Sequence, residues 1–288
     1  MASPGDGPRR AALANWLADS QNPLTWRSVV NRSWHDHFGK GLCDTPSDLG
    51  RGGGVPSHPE LIDWLAAEFR DRGGQWKDLQ RWLVTTAAYR QSSTSAREAV
   101  EVDADNRLLA RMPRSRLDAE SFRDAVLAAA EGMNLQMHGP SVQHFRTSPG
   151  PQATPKVEYT PFDWSTAAAA RRSVYRFHWR GIPDPFFEAL DFPDASLLQP
   201  TRPFSASPLQ SLALLNDDFV LYHCQSLAAK IEGDTADPQE RLRIVMRQIL
   251  LREPTAAELR LLPDLAAKHS LAAVCRVLFN SNEFLFCD

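Results

Sequence analysis

Residues 237–250, DPQERLRIVMRQIL, read as one complete amphipathic helix. Asp237 can cap the first turn, and Pro238 fits the first helical position, where a backbone N–H has no partner to lose. The apolar residues recur at the i, i+3, i+4 spacing of a single helix face: Leu242, Val245, Met246, Ile249 and Leu250. This stretch predicts a helical core in the C-terminal part of the chain.

Similar start and stop signals occur on both sides of this stretch. Asn22 can cap a helix that has Pro23 at its first position and ends at Gly39. Thr255 and Glu258 have the spacing of a capping box, in which each side chain bonds the other's backbone N–H. Further helices are predicted from about 58 to 72, before two glycines, and from about 116 to 131.

The middle of the chain, residues 133–208, differs because its density of proline is incompatible with long helices. Within it, Tyr175, Phe177 and Trp179 alternate with polar residues, which predicts a half-buried strand over 172–180. The segment 145–170 is predicted to be a long surface excursion.

The predicted fold is therefore mainly α, with two helical lobes joined by an irregular proline-rich middle and a little β-strand. Residues 1–10 are predicted to be a disordered tail, residues 11–132 an N-terminal helical lobe, and residues 209–288 a C-terminal helical lobe. The middle, 133–208, contains the strand 172–180.

Composition narrows the class of protein. The chain has 288 residues, with 32 Lys plus Arg against 35 Asp plus Glu, and 43% of its residues are hydrophobic, as in soluble globular proteins. The arginines are spread among acidic residues, so no nucleic-acid footprint is present. Residues 1–10 lack the apolar core of an export signal, and no apolar run is long enough to span a membrane. The four cysteines show no metal or redox spacing and are predicted to be small buried hydrophobic residues.

Several runs stand in the order of a known family. They are NPLT (22–25), NRSWHDHFGKGL (31–42), TPSDLG (45–50), PSHPELIDWL (56–65), YRQSS (89–93), DNRLL (105–109), GPSV (139–142), RSVY (172–175), DFPD (191–194), LLN (214–216) and NSNEFL (280–285). On these motifs the chain resembles the domain of unknown function fifteen fifty-three, also called planctomycete-specific domain one. The resemblance covers nearly the whole chain, so the two lobes and the middle are expected to form one family domain.

The resemblance implies a type of multidomain protein, and it does not imply a chemical reaction. Members usually form the C-terminal part of large exported bacterial proteins, whose upstream parts include a companion uncharacterised domain and often a cytochrome c-like domain. The resemblance thus implies such a companion as a partner and an extracytoplasmic location for relatives. This chain has no C-x-x-C-H motif, so haem is not carried over to it, and no cofactor is predicted.

The candidate ligand-binding residues lie near the N-terminus. Arg27, Asn31 and His35 are spaced i, i+4, i+8 and share one polar stripe of a helix. We expect the following loop to bring Asp48 and His58 over this stripe, with Arg32 joining through its long side chain. The alternatives are a solvated helix face or a buried hydrogen-bond network around Asn31.

Other motifs have structural interpretations that we prefer. The histidines of His35-Asp36-His37 are about 200° apart around a helix, so no metal site is predicted. Ser57 and Glu60 form a predicted capping box, and residues 45–48 form a predicted helix cap with proline at the first position. Arginines in the irregular middle could bind an anion, but pairing with nearby acids is favoured. The arginines are Arg172, Arg176, Arg180 and Arg202, and the acids are Asp184, Glu188, Asp191 and Asp194.

Two functions remain open on the sequence. The leading hypothesis is a non-catalytic helical interaction or ligand-binding module. The alternative is an enzyme that acts on an extracellular polymer such as a polysaccharide. Neither a G-x-S-x-G motif nor a phosphate-binding G-x-x-x-x-G-K-[ST] motif occurs, which disfavours common hydrolases and ATPases.

Overall fold

The computed structural model describes residues 5–94, 97–151 and 155–287. It is mainly helical with a few short strands, which confirms the predicted fold class. The chain divides into two compact units, unit 1 over Met1–Ser115 and unit 2 over Arg116–Cys287. The division differs from the predicted lobes, because the irregular middle and the helix before it belong to the same unit as the C-terminal helices.

Unit 1 consists of helices joined by loops. They are α1 (Asp6–Ala18), α2 (Pro23–Phe38), α3 (Pro59–Asp71), α4 (Trp76–Thr85) and α5 (Arg97–Val102). The predicted limits of α2 are confirmed. The Asn22 side chain accepts a hydrogen bond from the backbone N–H of Leu24, and Gly39 ends the helix with a φ of 71°. The core of unit 1 is Val30, Trp34, Phe38, Leu42, Ile62, Leu65, Ala66, Phe69, Leu79 and Leu83.

The N-terminal tail differs from the prediction. Residues 1–4 lie outside the described residues, but Asp6 onward is helical, since α1 begins there. The large apolar residues of this helix are exposed: Leu13, Trp16 and Leu17 are all at least 45% accessible. In α3, likewise, Trp64 is 56% exposed and Ile62 takes its place in the core. In α3 the apolar spacing is that of a helix, but it does not show which of the large apolar residues are buried.

Unit 2 contains the remaining elements. They are β1 (Ser115–Arg116, at the boundary between the units), α6 (Ala119–Ala129), β2 (Arg146–Ser148), β3 (Lys156–Glu158), α7 (Pro185–Ala189), α8 (Pro208–Asn216), α9 (Asp218–Asp234), α10 (Pro238–Leu250), α11 (Glu258–Lys268), α12 (Leu271–Phe279), α13 (Asn282–Leu285) and β4 (Phe286–Cys287). Strands β1 and β4 form one two-stranded sheet, and β2 and β3 form an antiparallel one in which Thr147 faces Val157.

The helices of unit 2 surround one core. Helix α10 matches the predicted segment, and Leu242, Val245, Met246 and Ile249 are buried. The predicted capping box before α11 is confirmed, because Thr255 and Glu258 each accept the other's backbone N–H. Helices α9 and α12 contribute further to this core through Phe219, Val220, Cys224, Leu227, Val274, Cys275, Leu278 and Phe279. Among the described residues, no helix has the length and hydropathy needed to cross a bilayer.

The cysteines follow the prediction with one exception. Cys43, Cys224 and Cys275 are buried free thiols, and burial raises the pKa of Cys224 to about 12, which keeps it protonated. Cys287 is exposed, contrary to the prediction, because it lies in the short β4 strand at the end of the described chain.

The strand predicted over 172–180 is wrong. Ser173–Tyr175 forms a 3-10 turn, and the backbone N–H of Arg176 bonds the carbonyl of Ser173. The N–H and hydroxyl of Ser173 both donate to the carboxylate of Asp124 on α6. Only an isolated bridge between Val142 and Arg176 has strand pairing. At Ser173 the segment therefore forms hydrogen bonds with a side chain of α6 and not with a neighbouring strand. The alternating pattern of residues does not indicate such a partner.

The predicted surface excursion, over its described residues, is folded against the rest of unit 2. Beyond the β2–β3 pair, the Tyr159 hydroxyl donates to the carbonyl of Ile182 at 3.1 Å. Phe162 and Trp164 contact the ring of His144 at centroid distances of 5.1 and 5.8 Å. His144 is 2% exposed, so this segment covers part of the interior.

A buried arginine joins α6 to the irregular middle. Arg123 is 1% exposed and donates to the carbonyls of Ala169 and Arg171 and to the hydroxyl of Ser173. A buried carbonyl without a partner is costly, so an irregular segment needs such donors to enter a core. Arg171 repeats the arrangement with the carbonyls of Gln136, His138 and Pro140.

We expect Arg123→Met to lower the free energy of unfolding by about 2–5 kcal/mol, because the carbonyls of Ala169 and Arg171 lose their donor. Urea unfolding followed by circular dichroism measures the change. Arg97→Met is the control: its side chain is 89% exposed and paired with Glu101, so we expect a change below about 0.5 kcal/mol. Equal effects of the two substitutions would contradict the role given to Arg123.

Candidate ligand-binding site

Asn31, the central residue of the predicted site, forms a backbone clamp. It is fully buried; its amide donates to the carbonyl of Cys43 at 2.9 Å and its oxygen accepts the N–H of Cys43 at 2.8 Å. A Cβ on Gly41 would stand 2.8 Å from the Asn31 amide and 2.5 Å from the carbonyl oxygen of Cys43, so this approach requires glycine. The side chain has the geometry of the buried-network alternative.

The loop after α2 returns to Leu42, the residue next to Cys43. The N–H and the hydroxyl of Ser57 both donate to the carbonyl of Leu42. His58 follows, with Nδ1 3.0 Å from the Ser57 hydroxyl oxygen. The capping box predicted for Ser57 and Glu60 is wrong, because the hydroxyl of Ser57 is used by Leu42 and His58 occupies the N-cap of α3 without a side-chain bond.

The remaining predicted site residues have separate surroundings. Arg27 pairs with Asp63 at 2.5 Å, Arg32 is exposed, and His35 is half-buried. The exposed Asp48 accepts the N–H of Gly50 at 2.9 Å within a turn, so the helix predicted to start near it is absent. Asn31 and the segment before His58 therefore meet around residues 42 and 43. Joint ligand binding by all six residues stays a prediction.

In the His35-Asp36-His37 motif, His37 has a structural role. Nδ1 of His37 lies 2.8 Å from the carbonyl oxygen of Ser33, and its ring meets Tyr89 edge to face. Across the described part of the chain, no group of three or more His, Cys, Asp or Glu residues has the arrangement of a metal site.

A more developed cleft lies in unit 2, at a place that the sequence analysis did not select. A pocket of about 250 Å³ is formed by the segment 178–196. A more open depression of about 640 Å³ runs along α6. His178 and Phe192 line both of them, so the pocket and the depression adjoin. We name the two together the His178 cleft.

Aromatic rings form the junction of the cleft. The rings of His178 and Phe192 stack with a centroid distance of 4.6 Å and an interplanar angle of 17°. Trp179, half-buried, forms another wall of the pocket. Burial, together with the charge of Arg176, lowers the pKa of His178, so its ring is neutral near pH 7.

A buried ion pair positions the inner wall of the pocket. The guanidinium of Arg176 pairs with the carboxylate of Asp184, and both side chains are less than 10% exposed. Asp184 also accepts the backbone N–H groups of Phe186 and Phe187 and thereby caps α7. The pair links the 173–176 turn to α7, which precedes Phe192 in the chain.

Most carboxylates around the cleft already have partners. Asp194 accepts the N–H and hydroxyl of Ser196, and these bonds lower the pKa of Asp194. Glu120 accepts two hydrogen bonds from Arg202, at 2.7 and 2.8 Å. Over the described residues, the side chains of Glu188 and Arg180 have no hydrogen-bond or ion-pair partner, and both residues are exposed.

The preferred pairing of the arginines with nearby acids is correct in part. Arg176 and Asp184 pair as expected, while Arg202 reaches back to Asp118 and Glu120 on and before α6. Arg172 approaches Asp124 at 3.8 Å. These longer-range partners lie about 50 to 80 residues away and could not be inferred from sequence proximity.

The sequence carries a family signature across both units. A sequence model of the family PSD1, described as protein of unknown function (DUF1553), matches residues 9–266. The chain belongs to the PSD1 family. No curated protein and no solved structure matches it. Two motifs of this PSD1 chain, RSVY (172–175) and DFPD (191–194), contribute residues to the His178 cleft, and they were the available sequence signal for it.

We expect Asn31→Ala to lower the free energy of unfolding of this PSD1 chain by about 1–3 kcal/mol, because Cys43 keeps a buried N–H and carbonyl without partners. Thermal or urea unfolding measures it. The exposed neighbour provides the control, since Arg32→Ala should change stability by less than about 0.5 kcal/mol. A neutral Asn31→Ala would show that the clamp is dispensable.

Asp217 generates a prediction about pH. It caps α9 by accepting the N–H of Phe219 at 2.9 Å, and burial raises its pKa to about 6 from 3.8. The folded state therefore binds the proton of Asp217 more tightly than the unfolded chain does. The ionised carboxylate lowers the free energy of unfolding above about pH 6, and this destabilisation shrinks as the pH falls from about 6 to 3.8.

We therefore expect Asp217→Asn, which keeps the capping oxygen, to raise the free energy of unfolding by about 1–3 kcal/mol near neutral pH, with the gain lost at about pH 4. Urea unfolding at both pH values tests this. Asp237→Asn, at the exposed cap of α10, should change little at either pH. A pH-independent effect of Asp217→Asn would contradict the assignment.

Proposed function

We propose that this PSD1 chain is a non-catalytic ligand-binding module, that its site is the His178 cleft, and that its ligand is an oligosaccharide. The observation that carries the proposal is the adjoining pocket and depression at the His178–Phe192 stack. A pocket that continues into an open groove suits the end of a chain-like molecule better than a compact one.

The chemistry of the lining supports a sugar ligand. Trp179 and the His178–Phe192 stack supply apolar ring surfaces that suit the C–H faces of a pyranose. Arg180 and Glu188 supply a hydrogen-bond donor and an acceptor that are still available for hydroxyl groups. Aromatic surface bordered by a few polar groups is typical of small-molecule sites.

The state of the carboxylates favours binding over hydrolysis. Glycoside hydrolysis usually needs two carboxyl groups, one of them a general acid with a raised pKa. In this cleft Asp184 and Glu120 are held by arginines, and the pKa of Asp194 is lowered. Asp124, which lines the depression, accepts the N–H and the hydroxyl of Ser173. Glu188 is then the available carboxylate of the cleft. The enzyme acting on an extracellular polymer is the alternative that the experiment below distinguishes.

The wider setting follows from the resemblance of the sequence to its family. We propose that the module acts in an exported multidomain protein, beside a companion domain of the uncharacterised or cytochrome-like type. Binding of a polysaccharide by this module would hold the companion domain near an extracellular polymer.

The test uses a panel of neutral, amino-containing and sulfated oligosaccharides and isothermal titration calorimetry. We expect at least one class to bind, and we expect Trp179→Ala to weaken its binding about tenfold, since a stacking surface is lost. Trp64→Ala is the matched control, because Trp64 is 56% exposed and lies in unit 1. Absence of binding to the whole panel, or equal losses in the two variants, would overturn the proposal.

The same samples distinguish the enzyme. Prolonged incubation with the bound oligosaccharide followed by chromatography should show no shortened products. Products that appear with the wild type and disappear with Glu188→Gln, while binding persists, would establish hydrolysis at this cleft and replace the module with the enzyme.

A further inference from the structure

The interior of unit 2 contains polar side-chain atoms without partners. Within the described residues, these sealed and unpaired atoms include both ring nitrogens of His144, Nε1 of Trp164 and Nε of Arg123. Buried polar groups in proteins are nearly always hydrogen-bonded, so such a group in a native structure calls for a missing partner. Three side chains with unpaired polar atoms therefore lie in the same unit.

The three side chains belong to one contiguous cluster. The rings of His144 and Trp164 have centroids 5.8 Å apart. Trp164 lies 5.3 Å from the ring of Phe219, and the guanidinium carbon of Arg123 lies 5.3 Å from the same ring. His144 and Arg123 are 2% and 1% exposed. The side chains that carry the unpaired atoms are therefore linked to one another through the rings of Trp164 and Phe219.

The interior has an excess of positive charge. Among the described residues that are at most 9% exposed, Arg123, Arg171 and Arg176 carry guanidinium groups and Asp184 carries the one carboxylate. Asp184 pairs with Arg176, whereas the nearest acid to Arg123 is Asp124 at 3.5 Å. A buried charge needs a counter-charge or strong hydrogen bonds. The terminal guanidinium nitrogens of Arg123 have hydrogen-bond partners, but its Nε has none.

The unpaired atoms are mainly donors. Burial and the nearby arginines lower the pKa of His144 to about 2, so its ring is neutral and carries one N–H. Trp164 Nε1 and Arg123 Nε carry one N–H each. Three N–H donors in a positive interior have the character of an anion site.

We propose that unit 2 contains an internal site for a small monovalent anion, formed by Arg123, His144 and Trp164 beneath the segment 156–164. The unpaired nitrogen atoms are sealed from solvent, so the anion enters when Phe162 and Trp164, which cover His144, move outward. The ligand is of halide or formate size. This site is separate from the His178 cleft, so it does not depend on the proposed function.

The probe is bromide, compared with gluconate at equal ionic strength, because gluconate is too large for the site. We expect bromide to raise the melting temperature of the wild type saturably, since a ligand that binds only the folded state stabilises it. His144→Phe and Trp164→Phe keep an aromatic ring and remove a donor. Each should weaken bromide binding about tenfold or more.

His223→Phe is the matched control. His223 is a buried histidine that contacts Phe219, and its ring nitrogens are not among the unpaired atoms. This variant should keep the bromide response. In halide-free buffer, His144→Phe should melt a few degrees higher than the wild type, because two unpaired buried nitrogens are removed.

Crystals grown in bromide provide a test that needs no variant. An anomalous scattering peak within hydrogen-bond distance of the His144 and Trp164 nitrogens would support the site. Water alone at that position, or the same bromide response in all four proteins, would overturn the proposal.

Discussion

The fold of unit 2 depends on the buried guanidinium of Arg123. The irregular middle brings backbone carbonyls into the interior without the regular pairing of a helix or sheet, and each of them needs a donor. Arg123 supplies donors to three oxygen atoms from α6, a helix whose position is set by Phe122 and Val126 in the core. An arginine thus replaces the hydrogen bonds that a strand would have made.

The His178 cleft follows from this arrangement. Arg123 and Asp124 hold the turn at Ser173. The chain then reaches Arg176, which pairs with Asp184, the residue that caps α7. His178, two residues after Arg176, stacks on Phe192. The walls of the cleft are therefore supported by buried hydrogen bonds, which suits a preformed binding site. The same buried arginines leave the interior with more positive than negative charge, from which the anion site is inferred.

Unit 1 uses the same principle with a neutral side chain. Asn31 pairs with both backbone groups of Cys43, and Ser57 pairs with the carbonyl of Leu42. The loop from residue 40 to residue 58 is held by side chains of the flanking segments. This explains why a family motif can contain a polar residue such as Asn31 at a position that contacts no solvent. A buried amide with two backbone partners is as specific as an apolar contact.

Local signals determined the helices of this protein. The caps at Asn22, Asp237 and Thr255 and the stripe on α10 act within a few residues, so the sequence alone was sufficient for them. It also singled out Asn31, although its partner could be known only once the loop was folded.

Only the tertiary structure decided the rest. The alternation over 172–180 predicted a strand, but Asp124, almost fifty residues away, took the hydrogen bonds of Ser173. Arg123 lies in an ordinary amphipathic helix, and its burial depends on carbonyls from the irregular middle. Trp64 occupies a core-like spacing yet faces solvent. Long-range hydrogen bonds and the choice of buried face depend on which segments meet, and a local pattern contains no information about that.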